Sequence, residues 1–102
     1  MAESKINNAL KVAVISKDVT TIDSPDAMGG HYAYIDLTNE LNSLLQDYTK
    51  AKVVIPIGAT ITSDNGDGGL LIPYSVNGDR LRQFALNTNL NATYRCYFAV
   101  MY

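Results

Sequence analysis

The sequence predicts a mainly β protein, an antiparallel β-sandwich or barrel of six to seven short strands with one helix near residues 38–49. Short runs rich in β-branched and aromatic residues recur along the chain, and turn sequences rich in Gly, Asn and Asp separate them. One stretch alone has the spacing of an amphipathic helix, which would cover an open end or edge of the sheet. With 102 residues, the chain is predicted to form a single β-rich domain over 1–102.

The first third of the chain predicts two strands with a loop between them. The first strand starts at 10–15 (L-K-V-A-V-I) and extends as far as Ile22. Residues 23–30 collect Pro, Gly and Asp, a composition typical of a loop. The second strand covers 31–37 (H-Y-A-Y-I-D-L), where Tyr32 and Tyr34 share a face.

The predicted helix follows directly, over about 38–49. Its apolar residues recur every three or four positions, as on one face of a helix. These residues are Leu37, Leu41, Leu44, Leu45 and Tyr48. Thr38 or Asp36 is the expected cap, because a short oxygen-bearing side chain satisfies the free amides at a helix start. The alternative for the same residues is a loop between strands.

Three further strands are predicted over 52–62, 70–76 and 80–86, with a turn at 63–69 and a hairpin at Asn77-Gly78-Asp79. Two of them resemble each other, since V-V-I-P-I-G at 53–58 and L-L-I-P-Y-S at 70–75 share an Ile-Pro step. Proline cannot donate a hydrogen bond to a neighbouring strand. We therefore expect edges or bulges near Pro56 and Pro73.

The last strand follows a turn at 87–91 and runs to Tyr102. Tyr94, Cys96, Phe98, Val100 and Tyr102 fall on one of its faces. The other face holds Arg95, Tyr97, Ala99 and Met101. A strand that is apolar on both faces is expected to be covered on both. Since termini fray unless they are tied down, we expect the sheet or a neighbouring subunit to hold Tyr102.

Composition narrows the classes of function. Apolar residues make up 47% of the chain and charged residues 18%, below the usual share of about 25%. This shortage of charge predicts either a surface hidden in an oligomer or a surface solvated by Ser, Thr and Asn. The net charge of −2 argues against nucleic acid as a partner, because phosphate binding needs a basic face.

The sequence contains no recognisable catalytic or metal-binding set. It has one histidine, His31, and one cysteine, Cys96, which we expect to be buried and inert. Nucleophile-elbow, P-loop and dinucleotide-binding motifs are absent. The turn after Asp64 resembles a calcium loop, but Ser75 stands where the motif needs a Glu. We therefore predict no enzyme activity, no catalytic residues, no metal and no cofactor.

The predicted location of the protein depends on two kinds of segment that the sequence lacks, a membrane-spanning helix and a signal peptide. No apolar run approaches the roughly 18 residues of a membrane-spanning helix, so no membrane insertion is expected. The first residues, M-A-E-S-K-I-N-N-A-L-K, lack the charged and apolar regions of a signal peptide. We expect synthesis in a cytoplasm.

Seven tyrosines without a tryptophan are the most distinctive side chains. A tyrosine offers an apolar ring with a polar end, which suits both sugar recognition and subunit interfaces. The candidate ligand-binding residues are His31, Tyr32, Tyr34, Asp64, Asn65 and Tyr74, and the candidate interface residues are Tyr97, Met101 and Tyr102. The alternative is that these tyrosines serve only to pack strands.

The end of the sequence resembles the terminal strands of bacteriophage tail-fibre heads and receptor-binding proteins. In those proteins, a segment of leucine, asparagine, small residue, threonine and tyrosine leads into the last alternating strand. Here that segment is 90–94, L-N-A-T-Y, within N-T-N-L-N-A-T-Y-R-C-Y-F-A-V-M-Y at 87–102. The resemblance covers roughly 30 of the 102 residues.

The resemblance implies a virion protein, made in the host cytoplasm, that binds a cell-surface polysaccharide without turnover. Such modules are usually homotrimers, and copies on one particle multiply weak contacts. A capsid decoration, collar or connector protein that binds only other virion proteins is the alternative, and a small cytoplasmic enzyme is a third class. Exposed tyrosines clustered with carboxylates in a cleft favour sugar binding, whereas tyrosines on a flat apolar patch favour assembly.

Overall fold

A computed structural model describes residues 10–23, 30–62, 68–74 and 81–102. The predicted mainly β class with one helix is confirmed, because the strands of these residues form one antiparallel sheet beside a single α-helix. In chain order, the elements are β1 Val12–Thr20, β2 Ile22–Asp23, β3 His31–Asp36, α1 Thr38–Leu45, β4 Val53–Ile61, β5 Gly68–Pro73, β6 Gln83–Thr88 and β7 Thr93–Met101. A 3-10 turn at Tyr48–Lys50 follows the helix.

The sheet has the order β1-β7-β4-β5-β6-β3-β2 and curls into a half-barrel. Strands β4 and β5 pair only through Ala59 with Gly69 and Thr60 with Gly68, so two halves of the sheet meet at a short seam. The rings of Phe84 on β6 and Phe98 on β7 are 4.8 Å apart between centroids, and both are fully buried. The two halves therefore face each other across a common core.

Thr21 is the point where the chain crosses between the two edges of the sheet. Strand β1 pairs with β7 at one edge, whereas β2 pairs with β3 at the other. The buried Thr21 hydroxyl donates to the carbonyl of Leu90 at 2.9 Å and accepts from the amide of Ala92 at 3.1 Å. The single strand predicted from 10 to Ile22 is thus two strands, broken at Thr21.

The alternation predicted for the last strand is present in β7, but its two faces have different surroundings. The side chains of Tyr94, Cys96, Phe98 and Val100 are completely buried. Tyr97, Ala99 and Met101 stay partly exposed on the outer face, so within the described residues of one chain only the inner face is covered. Tyr102 exchanges two backbone hydrogen bonds with Lys11, at 2.6 and 2.9 Å, which confirms that the sheet holds it.

Helix α1 begins at Thr38, as the sequence predicts, and ends at Leu45, four residues before the predicted end at 49. The carboxylate of Asp36 accepts a hydrogen bond from the amide of Thr38 at 2.8 Å, so Asp36 satisfies one free amide at the helix start. Gln46 has a left-handed φ of 70°, and its amide donates to the carbonyl of Asn42 at 2.7 Å. This conformation closes the helix after Leu45, and the chain continues into the 3-10 turn.

The proline and glycine positions shape the seam between the halves. Near Pro56 the register of β4 against β7 shifts, which confirms a bulge. Pro73 lies in the part of β5 that pairs with β6 alone. The predicted turn at 63–69 is wrong at its end, since Gly68 and Gly69 belong to β5.

The remaining strand boundaries differ by a few residues from those predicted from the sequence. Strand β6 starts at Gln83 and includes Asn87 and Thr88, for which the sequence predicts a turn. The predicted loop at 24–29, the turn at 63–67 and the hairpin at 77–79 lie outside the described residues. No helix within the described segments is long and apolar enough to cross a membrane.

Candidate ligand-binding site

Three tyrosines meet on the outer surface of β3, β6 and β5. The rings of Tyr34 and Tyr74 are stacked, with centroids 5.0 Å apart and planes 22° apart. The ring of Tyr32 meets Tyr34 edge-on, also at 5.0 Å. Tyr34 is 54% exposed despite both contacts. We call Tyr32, Tyr34 and Tyr74 the tyrosine cluster.

Strand register explains why these rings converge. Ala85 on β6 pairs with Tyr34 on one side and with Ile72 on the other. Because Ala85 has only a methyl group, the larger neighbours approach each other over it, and Ala85 is 1% exposed. The amide of Tyr74 donates to the carbonyl of Gln83 at 3.2 Å, which places Tyr74 one step further along the same surface.

A shallow cavity of about 150 Å³ adjoins the two stacked rings. Its lining residues are Tyr34, Ile35, Asp36, Tyr74, Gln83 and Phe84. Pockets for drug-sized ligands occupy roughly 300–1,000 Å³. The cavity therefore suits one small ring or one residue of a longer polymer.

Asp36 supplies a negative charge at this cavity. Partial burial raises the pKa of its carboxyl. Hydrogen bonds from the hydroxyl and amide of Thr38, the positive charge of Arg82 and a hydrogen bond from Gln83 together lower the pKa by more than burial raises it. The net result is a pKa below the ordinary value of 3.8. Asp36 is thus an ionised acceptor at neutral pH, and hydrogen bonds to an ionised acceptor are stronger than neutral ones.

Arg82 contacts the first residue of helix α1 and the 3-10 turn that follows the helix. Its Nη1 donates to the hydroxyl of Thr38 at 3.2 Å, and its guanidinium lies 4.6 Å from the ring centre of Tyr48. A cation over a tyrosine face is attracted by the ring. These two contacts keep the positive charge close to Asp36.

The structure brings together only part of the set predicted from the sequence. Tyr32, Tyr34 and Tyr74 do cluster. His31 does not join them, because successive side chains of a strand point to opposite faces and His31 shares the inner face with the buried Ala33. Asp64 and Asn65 lie outside the described residues.

Sequence reasoning missed Asp36 and Gln83. Asp36 stands two positions after Tyr34 on the same strand, so strand periodicity alone places it on the same face. Gln83 reaches the site only because β6 pairs with β3, where it lies opposite Asp36. That pairing is a long-range feature that no local pattern indicates.

A larger groove of about 470 Å³ runs between β1 and α1. Its lining residues are Ile15, Ser16, Asn39, Glu40, Ser43 and Leu44. Lys17 joins the two elements here, with Nζ 2.9 Å from the carbonyl of Asp36 and 3.2 Å from the carboxylate of Glu40. The lining has no aromatic ring, so it offers no stacking surface for a sugar.

A second exposed surface covers the outer face of β1, β7 and β4. We call it the outer patch, and define it by Val12, Val14, Val53, Ile55, Ile57, Tyr97, Ala99 and Met101. Two of the three predicted interface residues, Tyr97 and Met101, lie in it. Tyr102 does not lie in it, because this partly buried side chain packs against the core.

The remaining reactive groups lie away from both surfaces. Cys96 is fully buried as predicted, and burial raises the pKa of its thiol to about 12. Among the described residues, no three His, Cys, Asp or Glu side chains are grouped closely enough to hold a metal ion.

Comparisons with known proteins identify no relative of this chain. No protein-family model matches the chain, and neither a curated protein nor a solved structure gives a match.

Proposed function

We propose that this protein is a non-enzymatic binding module whose tyrosine cluster holds one residue of a saccharide. The observation that carries the proposal is the stacked pair Tyr34 and Tyr74, beside the ionised carboxylate of Asp36 in one shallow cavity. This arrangement of tyrosines and carboxylate in a cleft favours sugar binding over assembly on a flat surface.

The aromatic ring and the carboxylate of the site suit the two kinds of surface on a sugar. A pyranose ring has an apolar C–H face, which stacks on the exposed part of Tyr34. Its hydroxyls donate hydrogen bonds to Asp36, whose charge strengthens them.

The size of the cavity sets the expected strength of binding. One sugar residue in about 150 Å³ makes few contacts, and a dissociation constant near 1 mM corresponds to only about −4.1 kcal/mol. Several copies held on one particle raise the overall affinity without new contacts. The site thus suits repeated presentation on a surface.

A virion is the setting we propose, with a bacterial cell-surface polysaccharide as the ligand. The support is the resemblance of 90–94 and the strand after it to tail-fibre heads and receptor-binding proteins. The second candidate function is a capsid decoration, collar or connector protein, which the outer patch favours. One chain has room for both, because the tyrosine cluster and the outer patch lie on different strands.

The test is binding of bacterial surface glycans, first on a glycan array and then as free oligosaccharides by calorimetry. Tyr34→Leu removes the ring and is expected to lower affinity at least tenfold. Tyr34→Phe keeps the ring and is expected to retain most of it. Saccharide binding that both variants preserve, or no binding across the array, contradicts the proposal.

A further inference from the structure

The outer patch leaves the central strand of one half of the sheet without a cover. Strand β7 lies between β1 and β4, so its outer side chains occupy the middle of the surface. Five aliphatic residues around them, Val12, Val14, Val53, Ile55 and Ile57, are between 39% and 62% exposed. Their side chains form a continuous apolar surface, because Val12 and Val53 both pair with Met101, while Val14 and Ile55 both pair with Ala99.

The area of the patch fits a contact between two copies. These five residues, together with the less exposed Tyr97, Ala99 and Met101, offer on the order of 500 Å² of apolar surface, and a patch of that size is often functional. Two such patches in contact bury about 1,000 Å² in total, the lower limit for a specific protein interface.

The charges on this face fit a second copy better than a charged partner. The one ion pair of its described residues is Asp18 with Arg95, whose Oδ1 and Nε atoms are 2.8 Å apart. It lies at the far end of the strands from Val12 and Met101. Each charge is already neutralised within its own copy, so contact between two identical patches buries no unpaired charge.

We propose that a second copy of this chain covers the outer patch. The two sheets pack face to face about 10 Å apart, with a two-fold axis through the apolar end of the patch. This pairing replaces the trimer that the resemblance implies with a dimer. It leaves the tyrosine cluster of each copy free, and it does not rest on saccharide binding.

The test is the solution mass of the purified full chain by analytical ultracentrifugation over a concentration series. We expect about twice the chain mass of 11.1 kDa. Val14→Lys puts a charge into the patch and is expected to give a monomer. Leu70→Lys is the matched control: Leu70 is 65% exposed on β5, outside the patch, and this variant is expected to stay dimeric.

A second variant separates loss of contact from loss of fold. Val14→Thr keeps the β-branched shape and is expected to raise the dimer dissociation constant several-fold, with an unchanged circular dichroism spectrum. The proposal is overturned by a wild-type mass of one or three chains. It is also overturned by a dimer that Leu70→Lys dissociates and Val14→Lys does not.

Discussion

Tyr34 and Tyr74 stack at 5.0 Å although one lies on β3 and the other directly follows β5. Strand β6 separates them in the sheet, and only the small side chain of Ala85 stands between. The contact therefore depends on correct pairing of three strands. It also turns two half-exposed rings into one aromatic surface, which a single tyrosine would not supply.

Removing the second ring of this pair should weaken saccharide binding. Tyr74→Leu is expected to lower the affinity for a free oligosaccharide about tenfold, because the stacked surface loses half of its area. Tyr97→Leu, in the outer patch, is the matched control and should leave this single-site affinity unchanged. Calorimetry with a monovalent ligand measures both, and an equal loss in the two variants counts against the site.

Saccharide binding should depend on pH through Asp36. Its folded-state pKa lies below 3.8, so the carboxylate stays ionised, and affinity should be constant from pH 7 down to about pH 4. Below that range, affinity should fall as the carboxyl is protonated. The same group stabilises the fold above the unfolded pKa, and this contribution is lost as pH falls through the folded value.

The matched variants for this dependence are Asp36→Asn and Asp47→Asn. Asp47 also has a lowered pKa, owing to hydrogen bonds from Thr49, but it precedes the 3-10 turn and is not part of the cavity lining. Asp36→Asn should lower affinity at pH 7 and remove the acid limb of the curve. Asp47→Asn should change neither. An acid limb that survives in Asp36→Asn would assign the pH dependence to another group.

The thiol of Cys96 should be unreactive while the protein is folded. Burial raises its pKa from 9.0 to about 12, and the thiolate is the reactive form. Modification by a thiol reagent at pH 8 should be slow, and should become fast in denaturant. Since the unfolded thiol ionises first, the stability of the fold should decrease between about pH 9 and pH 12. Rapid labelling of the native protein would contradict this placement.

Adding a methyl group at Gly69 should destabilise the seam of the sheet. A Cβ added there would lie 2.6 Å from Cδ1 of Leu86 and 2.7 Å from Cγ2 of Thr88. Gly69→Ala is expected to lower the free energy of unfolding by about 1–3 kcal/mol, as overpacking does. Gly58→Ala is the control, because nothing lies within 4 Å of its added Cβ. Chemical denaturation compares the two, and equal stabilities would contradict the packing.

Thr21 should stabilise the crossing between the two edges of the sheet through its hydroxyl. Thr21→Val keeps the shape but leaves the Ala92 amide without its hydroxyl acceptor, a cost of about 1–3 kcal/mol. The Leu90 carbonyl loses the Thr21 hydroxyl but still accepts from the hydroxyl of Thr88 at 2.8 Å. Thr20→Val is the control: its hydroxyl is exposed and meets only that of Thr93 among the described contacts. A loss of stability in the control as large as that in Thr21→Val would remove the role given to the buried hydroxyl.

Local periodicity was enough to predict part of this molecule. The start of α1 and the buried face of β7 follow from side-chain spacing alone, because each depends on neighbours along the chain. The same rule separates His31 from Tyr32, and applying it to Asp36 would have added that residue to the site.

The rest depends on contacts between distant segments. The position of Gln83 follows from the register of β6, which is fixed by the whole core rather than by residues near Gln83. The break at Thr21 is also non-local, since a threonine favours a strand and its partners lie at 90–92. The exposed outer face of β7 shows what composition cannot predict. An apolar strand indicates that both faces are covered, but its residues do not identify the element or subunit that covers them.

The most direct test of the saccharide site is an NMR titration of the wild-type protein with oligosaccharide fragments of bacterial surface polysaccharides. We expect saturable shift changes centred on Tyr34, Tyr74 and Asp36, with a dissociation constant near the millimolar range. Shift changes confined to the groove between β1 and α1, or no changes at millimolar ligand, would contradict it.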